Sequence, residues 1–120
     1  MTNVAVLGAS NKPDRYSFKA MRMLREKGHA AYPVHPALAT VDGVPVSASL
    51  RAVPAPIDTV TVYLSARNQQ SIADEILQSG ARRVIFNPGA ENPPLEEQLR
   101  QRGMEVLRAC TLVLLTTGQF

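Results

Sequence analysis

Residues 4–17 constrain the fold more than any other stretch. Val4-Ala5-Val6-Leu7 is an apolar run that reads as a strand covered on both faces. It leads straight into Gly8-Ala9-Ser10-Asn11-Lys12-Pro13-Asp14-Arg15-Tyr16-Ser17, and a helical pattern follows from about Phe18 to Lys27. Strand, glycine-led loop and helix, in that order, form the opening unit of nucleotide-binding α/β domains. Such a loop gathers backbone N–H groups at a helix N-terminus, where the partial positive charge of the helix attracts anions. Lys12 and Arg15 add two cations where phosphate oxygens would sit. Glycine at position 8 is expected to permit close backbone approach, since a Cβ there would project into the phosphate or the helix start.

The rest of the chain repeats the alternation. Ala30–Val34, Thr59–Leu64, Arg83–Phe86 and Met104–Ala109 read as strands, and Ala66–Ser79 and Leu95–Arg102 as helices, with Gly28, Gly80 and Gly103 as stops. Thr111 opens a final helical turn. Residues 37–56 are irregular and carry several prolines, with an extended piece at Val44–Val46 and an anchor at Leu50. Five strand–helix alternations with short connections predict an α/β, Rossmann-like three-layer sandwich with a five-stranded, mainly parallel sheet, and residues 1–120 as one domain. Ligands of such sheets bind at the carboxyl ends of the strands. Those ends are Gly8-Ala9-Ser10, His35-Pro36, Leu64-Ser65, Asn87-Pro88-Gly89 and Ala109-Cys110, which belong to one crevice.

Composition narrows the ligand. The net charge of +3 comes mainly from ten arginines against three lysines. Arginine suits planar recognition of phosphate and carboxylate. These cations are scattered, and with three Tyr, three Phe and no Trp there is little for bases to stack on, which argues against nucleic acid. A single cysteine excludes an internal disulfide and fits a reducing cytoplasm. No signal peptide pattern opens the chain, and the apolar stretch around Leu112–Leu115 is far below the ~20 residues of a membrane span. A small anionic ligand is the expected partner.

The loop is neither a Walker A motif, lacking Gly-Lys-Ser/Thr, nor the three-glycine dinucleotide fingerprint. The acid expected after the second strand to hold a nicotinamide ribose is replaced by Val34-His35-Pro36, which weighs against NAD. Catalytic groups are scarce. His29 reads as an exposed turn residue, and His35 as a crevice residue that either bonds the ligand or caps the chain. Ser10 can donate to phosphate or cap the turn, and Arg15 can clamp phosphate or pair with Asp14 or Glu26. Tyr63 is core or ligand-stacking, Asn87 is turn chemistry or a ligand contact, and Cys110 reads as a buried, inert thiol at a strand end.

Four segments taken together resemble a known family: Gly8-Ala9-Ser10-x-x-Pro13-x-Arg15-x-Ser17, Tyr32-Pro33-Val34-His35-Pro36, Asn87-Pro88-Gly89-Ala90 and Cys110-Thr111-Leu112. They look like the small stand-alone CoA-binding proteins, which are similar to the CoA-binding domain of the succinyl-CoA synthetase alpha subunit. That family more often carries Asn where this chain has His35. The resemblance implies a Rossmann-like sheet that binds coenzyme A with its phosphates at the first loop. The expected contacts are Gly8, Ala9, Ser10, Lys12, Pro13, Arg15, Tyr16 and Ser17 of that loop, with His35, Pro36, Tyr63, Asn87, Gly89 and Cys110. Two functions stay open: a module that holds CoA or acyl-CoA without transforming it, and a nucleotide-cofactor enzyme or ligase component, using NAD(P) or acyl-CoA, that borrows catalytic groups from a partner. The missing ribose acid and catalytic set favour the first, and either leaves room for a homo-oligomer.

Overall fold

The structure, a computed structural model, describes residues 2–120. Strand β1 (Asn3–Leu7) leads to helix α1 (Tyr16–Glu26) and strand β2 (Ala30–Val34). A small hairpin, β3 (Thr40–Val41) and β4 (Val44–Pro45), and a 3-10 turn at Leu50–Ala52 precede β5 (Thr59–Val62). Then come α2 (Ala66–Gln69), α3 (Ala73–Leu77), β6 (Arg83–Phe86), α4 (Pro93–Gln101), β7 (Glu105–Arg108) and α5 (Thr111–Thr116). The large sheet has five strands in the order β2-β1-β5-β6-β7, all parallel. Beyond β2, a single parallel bridge joins Val34 to Ser47. It is held by His35 N–H on the Ser47 carbonyl and Ser47 N–H on the Pro33 carbonyl, both 3.0 Å. The doubly wound strand order 3-2-1-4-5-6 is thus present with its third strand reduced to one bridge.

Alternation along each strand feeds two cores. Ala5, Leu7, Val60, Val62, Val84 and Phe86 pack against the 3-10 turn and helices α3 and α4, together with Leu50, Ile76, Leu95 and Leu99. Val4, Val6 and Ala31 face the opposite layer, α1 and α5, and meet Phe18, Met21, Leu24 and Leu115. Both faces being covered, the central strands are mainly apolar, with the buried threonines Thr59 and Thr61 in β5. Helix α1 buries Phe18, Met21 and Leu24 on one stripe. Gly28, at φ +87°, ends it by turning the His29 N–H back onto the Leu24 carbonyl at 3.0 Å. Among the described residues, no helix is long and apolar enough to cross a membrane.

The element expected over residues 66–79 is two short helices instead of one. Gln69 is fully buried, and its Nε2 donates to the Leu64 carbonyl at 2.8 Å and the Ala90 carbonyl at 2.7 Å. Its Oε1 accepts from Asn92 Nδ2 at 2.8 Å. Tying this side chain to the ends of two strands pulls the chain inward, and the helix restarts only after Ile72, whose φ of −122° lies outside the helical range.

Candidate nucleotide-phosphate site

At the carboxyl edge, β1 and β5 lie side by side while their connections leave to opposite faces: α1 to one layer, α2 and α3 to the other. Gly8 sits in this opening at φ +90°. Its N–H and that of Ala9 both donate to the Val34 carbonyl, at 3.3 and 3.2 Å, so these two amides brace β1 against β2. The loop's other N–H donors lie further along. Lys12 N–H reaches Ser10 Oγ at 3.1 Å, and Arg15 N–H reaches the Lys12 carbonyl at 3.0 Å, which folds the loop back over the head of α1. The N–H groups of Ser10, Asn11, Tyr16, Ser17 and Phe18 have no backbone acceptor among the described residues.

Side chains complete a cavity of ≈ 300 Å³ lined by Gly8, Ser10, Lys12, Arg15, Tyr16, Ser17, Tyr63 and Pro88. Ser17 is 4% exposed, yet its hydroxyl makes no hydrogen bond among the described residues and is not sealed off, so it faces this space. Lys12 and Arg15 have no carboxylate within ion-pair distance among the described residues. Arg22, Arg25, Arg82, Arg100 and Arg108, by contrast, are all paired. Burial pushes the Tyr63 hydroxyl up to about 12, so it stays protonated as a donor. Tyr16 is exposed, with the Lys19 ammonium 5.6 Å above its ring.

A second cavity of ≈ 330 Å³ opens on the other side of Gly8, between the end of β2 and the α2–α3 layer. Its walls are mostly apolar: Leu7, Val34, Pro36, Leu50, Leu64 and Ile72, with His35, Asn68, Ser71 and Glu75 as polar members. His35 Nδ1 accepts the N–H groups of Ala37 at 3.0 Å and Leu38 at 3.2 Å. The neutral ring therefore carries its proton on Nε2, which is left as a donor. One nitrogen of His35 caps the chain, and the ring lines the cavity.

Residues 2–116 match the family described as CoA binding domain. The chain belongs to this family. The Bacillus subtilis (strain 168) protein named uncharacterized protein YneT is 29% identical over 104 residues, covering 87% of this chain and 77% of that protein. A crystal structure of an uncharacterized protein superposes with a TM-score of 0.94 at 40% identity, covering 100% of this chain and 98% of that one. The fold alone is shared with the dinucleotide forming acetyl-coenzyme A synthetase 1 of Ca. Korarchaeum cryptofilum. There the TM-score is 0.77 at 19% identity, over 90% of this chain and 26% of that one.

For this member of the CoA-binding family, the structure gathers Gly8, Ser10, Lys12, Arg15, Tyr16, Ser17 and Tyr63 around one cavity and His35 and Pro36 around the other. Ala9 is buried beneath the loop, and Pro13 is exposed on its outer side. Asn87 is engaged elsewhere. Its Nδ2 donates to Thr61 Oγ1 at 2.7 Å and the Val62 carbonyl at 2.9 Å, and its Oδ1 accepts the Thr111 N–H at 2.9 Å. Gly89 N–H turns onto Glu91 Oε1 at 3.0 Å, and half-buried Cys110 heads α5 outside both cavities. At Gly8, a Cβ would meet Leu64, 3.1 Å from its side chain and 3.3 Å from its nitrogen, instead of the phosphate or the helix start. His29 is a packed residue and not an exposed turn: its Nδ1 accepts the Thr2 N–H at 3.2 Å, and its ring lies 5.0 Å from that of Phe120. Leu64 was named among the strand ends, whereas Asn68, Ser71 and Glu75 line the second cavity without having been singled out from sequence. Their signal is helical spacing after the third long strand: 68, 71, 72 and 75 share one face.

Proposed function

We propose that this chain binds coenzyme A, free or acylated, as a holder of the ligand with no chemistry of its own. The diphosphate lies over residues 10–17, against the free N–H groups, the Ser17 hydroxyl, Lys12 and Arg15. The adenosine enters the His35 cavity, and the pantetheine arm leaves past Tyr63 and Pro88. One observation carries the reading: two cations with no carboxylate partner among the described residues, the Ser17 hydroxyl open to the space, and a helix N-terminus all converge on one cavity. Membership of the CoA-binding family supports the identity of the anion.

The binding-only reading rests on what the crevice offers. Rate enhancement needs groups that interact more strongly with a transition state than with bound substrate. Here the groups facing the ligand are amides, cations and protonated hydroxyls, which bind the diphosphate equally before and after any reaction at the thioester. We also read residues 1–120 as one domain working in a reducing cytoplasm.

Titration calorimetry against CoA, dephospho-CoA, NAD and ATP tests the assignment. CoA should bind most tightly; tighter binding of NAD overturns it. Arg15→Ala should weaken CoA ten- to a hundred-fold, because charge-assisted bonds to phosphate are worth ~1.5–3 kcal/mol. Steady hydrolysis or transfer of an acyl-CoA by the purified chain, surviving Cys110→Ser, would move the protein into the enzyme class.

A further inference from the structure

The second cavity carries one fixed anion whose role the phosphate site does not explain. Glu75, on α3, lines this cavity, and its Oε1 accepts the Leu50 N–H at 3.0 Å. That bond ties the carboxylate to the 3-10 turn on the facing wall, so its position is set by two elements and not by a flexible stem. Its second oxygen, Oε2, has no hydrogen-bond partner among the described residues, and no cation lies within ion-pair distance of it. The remaining walls are mainly apolar side chains from β1, β2, the 3-10 turn and the α2–α3 layer, suited to a flat aromatic ring, with His35, Asn68 and Ser71 as polar members.

We propose that Glu75 selects the base of the nucleotide by accepting a hydrogen bond from an exocyclic amine. This rests on the proposed function, in which the adenosine occupies this cavity. A carboxylate only accepts hydrogen bonds, so it favours the 6-amino group of adenine and repels the 6-carbonyl of hypoxanthine or guanine. Asn68 and Ser71 on the same side each offer a donor and an acceptor and do not discriminate. A purine with a carbonyl at position 6 would leave Glu75 facing an oxygen in an apolar cavity, the arrangement that makes polar recognition selective. Glu75 is thus a specificity residue, distinct from the loop cations, which hold any diphosphate alike.

The test measures affinities of the full chain for CoA, ADP, IDP and GDP by calorimetry, in the native protein and in Glu75→Gln. Gln keeps an oxygen for the Leu50 N–H and can turn an NH2 group toward the base, and its melting temperature is compared with that of the native protein. ADP should bind roughly ten- to a hundred-fold more tightly than IDP or GDP in the native protein, and Glu75→Gln should erase or invert that ratio. Equal binding of ADP and IDP, or a ratio unchanged in Glu75→Gln, overturns the role of Glu75 while leaving the phosphate site intact. Failure of CoA and all three diphosphates to bind overturns the ligand reading and this inference together.

Discussion

Position 8 shows how much one residue can hold. Its φ of +90° is the left-handed region where a side chain is strained, and the space beside it is filled by Leu64, which also lines the base cavity. Gly8→Ala should therefore cost about 1–3 kcal/mol of stability in urea denaturation and also weaken CoA by displacing Leu64. Asn87 makes the opposite case. It is 3% exposed, and all its bonds run to Thr61, Val62 and Thr111. Asn87→Ala leaves the Thr111 N–H unpaired, while Thr61 Oγ1 keeps Thr111 Oγ1 and the Val62 carbonyl keeps the Asn87 backbone N–H; it should destabilise the chain by about 1–3 kcal/mol and leave CoA affinity within twofold. Gly8, Lys12 and Arg15 were legible in the sequence because a glycine between strand and helix, followed by cations, has few other uses. Asn87 was not, because a polar residue at a strand end looks the same whether it faces a ligand or the next helix. Nor could the sequence say that the first two amides of the loop belong to the Val34 carbonyl, since that depends on how closely β2 approaches.

Among the elements, most of the strand–helix alternation was readable to within a residue or two, because the long strands hold apolar runs and α1, α3 and α4 are each followed by a glycine. The break between α2 and α3 was hidden, since it comes from Gln69 bonding to residues 64, 90 and 92, none of which marks the local pattern as unusual. The join between α4 and β7 depends on one buried acid. Glu96 is 1% exposed and takes Arg108 in a bidentate pair at 2.8 and 3.1 Å, while its Oε2 also accepts the Asn92 N–H at 2.8 Å. Burial alone would raise its carboxyl, but Arg108 and the Asn92 N–H outweigh that and hold it below the usual range. A depressed carboxyl adds stability that is complete above its unfolded value and is lost as pH falls through its folded one. Melting temperature should accordingly drop below about pH 4.3 in the native protein, and Glu96→Gln should melt lower at neutral pH but lose less on acidification.

Across the molecule, the two ends of the described chain meet at His29. Burial, helped by the nearby charge of Arg83, pushes its imidazole below the ordinary value, and the Thr2 N–H needs Nδ1 unprotonated. A base with a depressed pKa contributes stability at high pH that is lost as pH falls below its unfolded value. Acid unfolding should thus show an earlier component from about pH 6.5 downward, absent in His29→Leu and separate from the Glu96 component. The layered architecture was evident from the sequence, whereas this closure was not, because histidine after a helix-stopping glycine is as often solvated as packed. The reduced third strand also bears on whether a foreign strand could pair with the sheet. On one border, Pro33 offers no N–H and its carbonyl is taken by Ser47, with Pro45 in the hairpin beside it. On the other border, β7 carries exposed Glu105 and Arg108. Neither margin presents a long apolar ledge on which a foreign strand could register. Self-association of this protein, where it occurs, would run through the helical layers, and its concentrated solutions should resist fibrous growth.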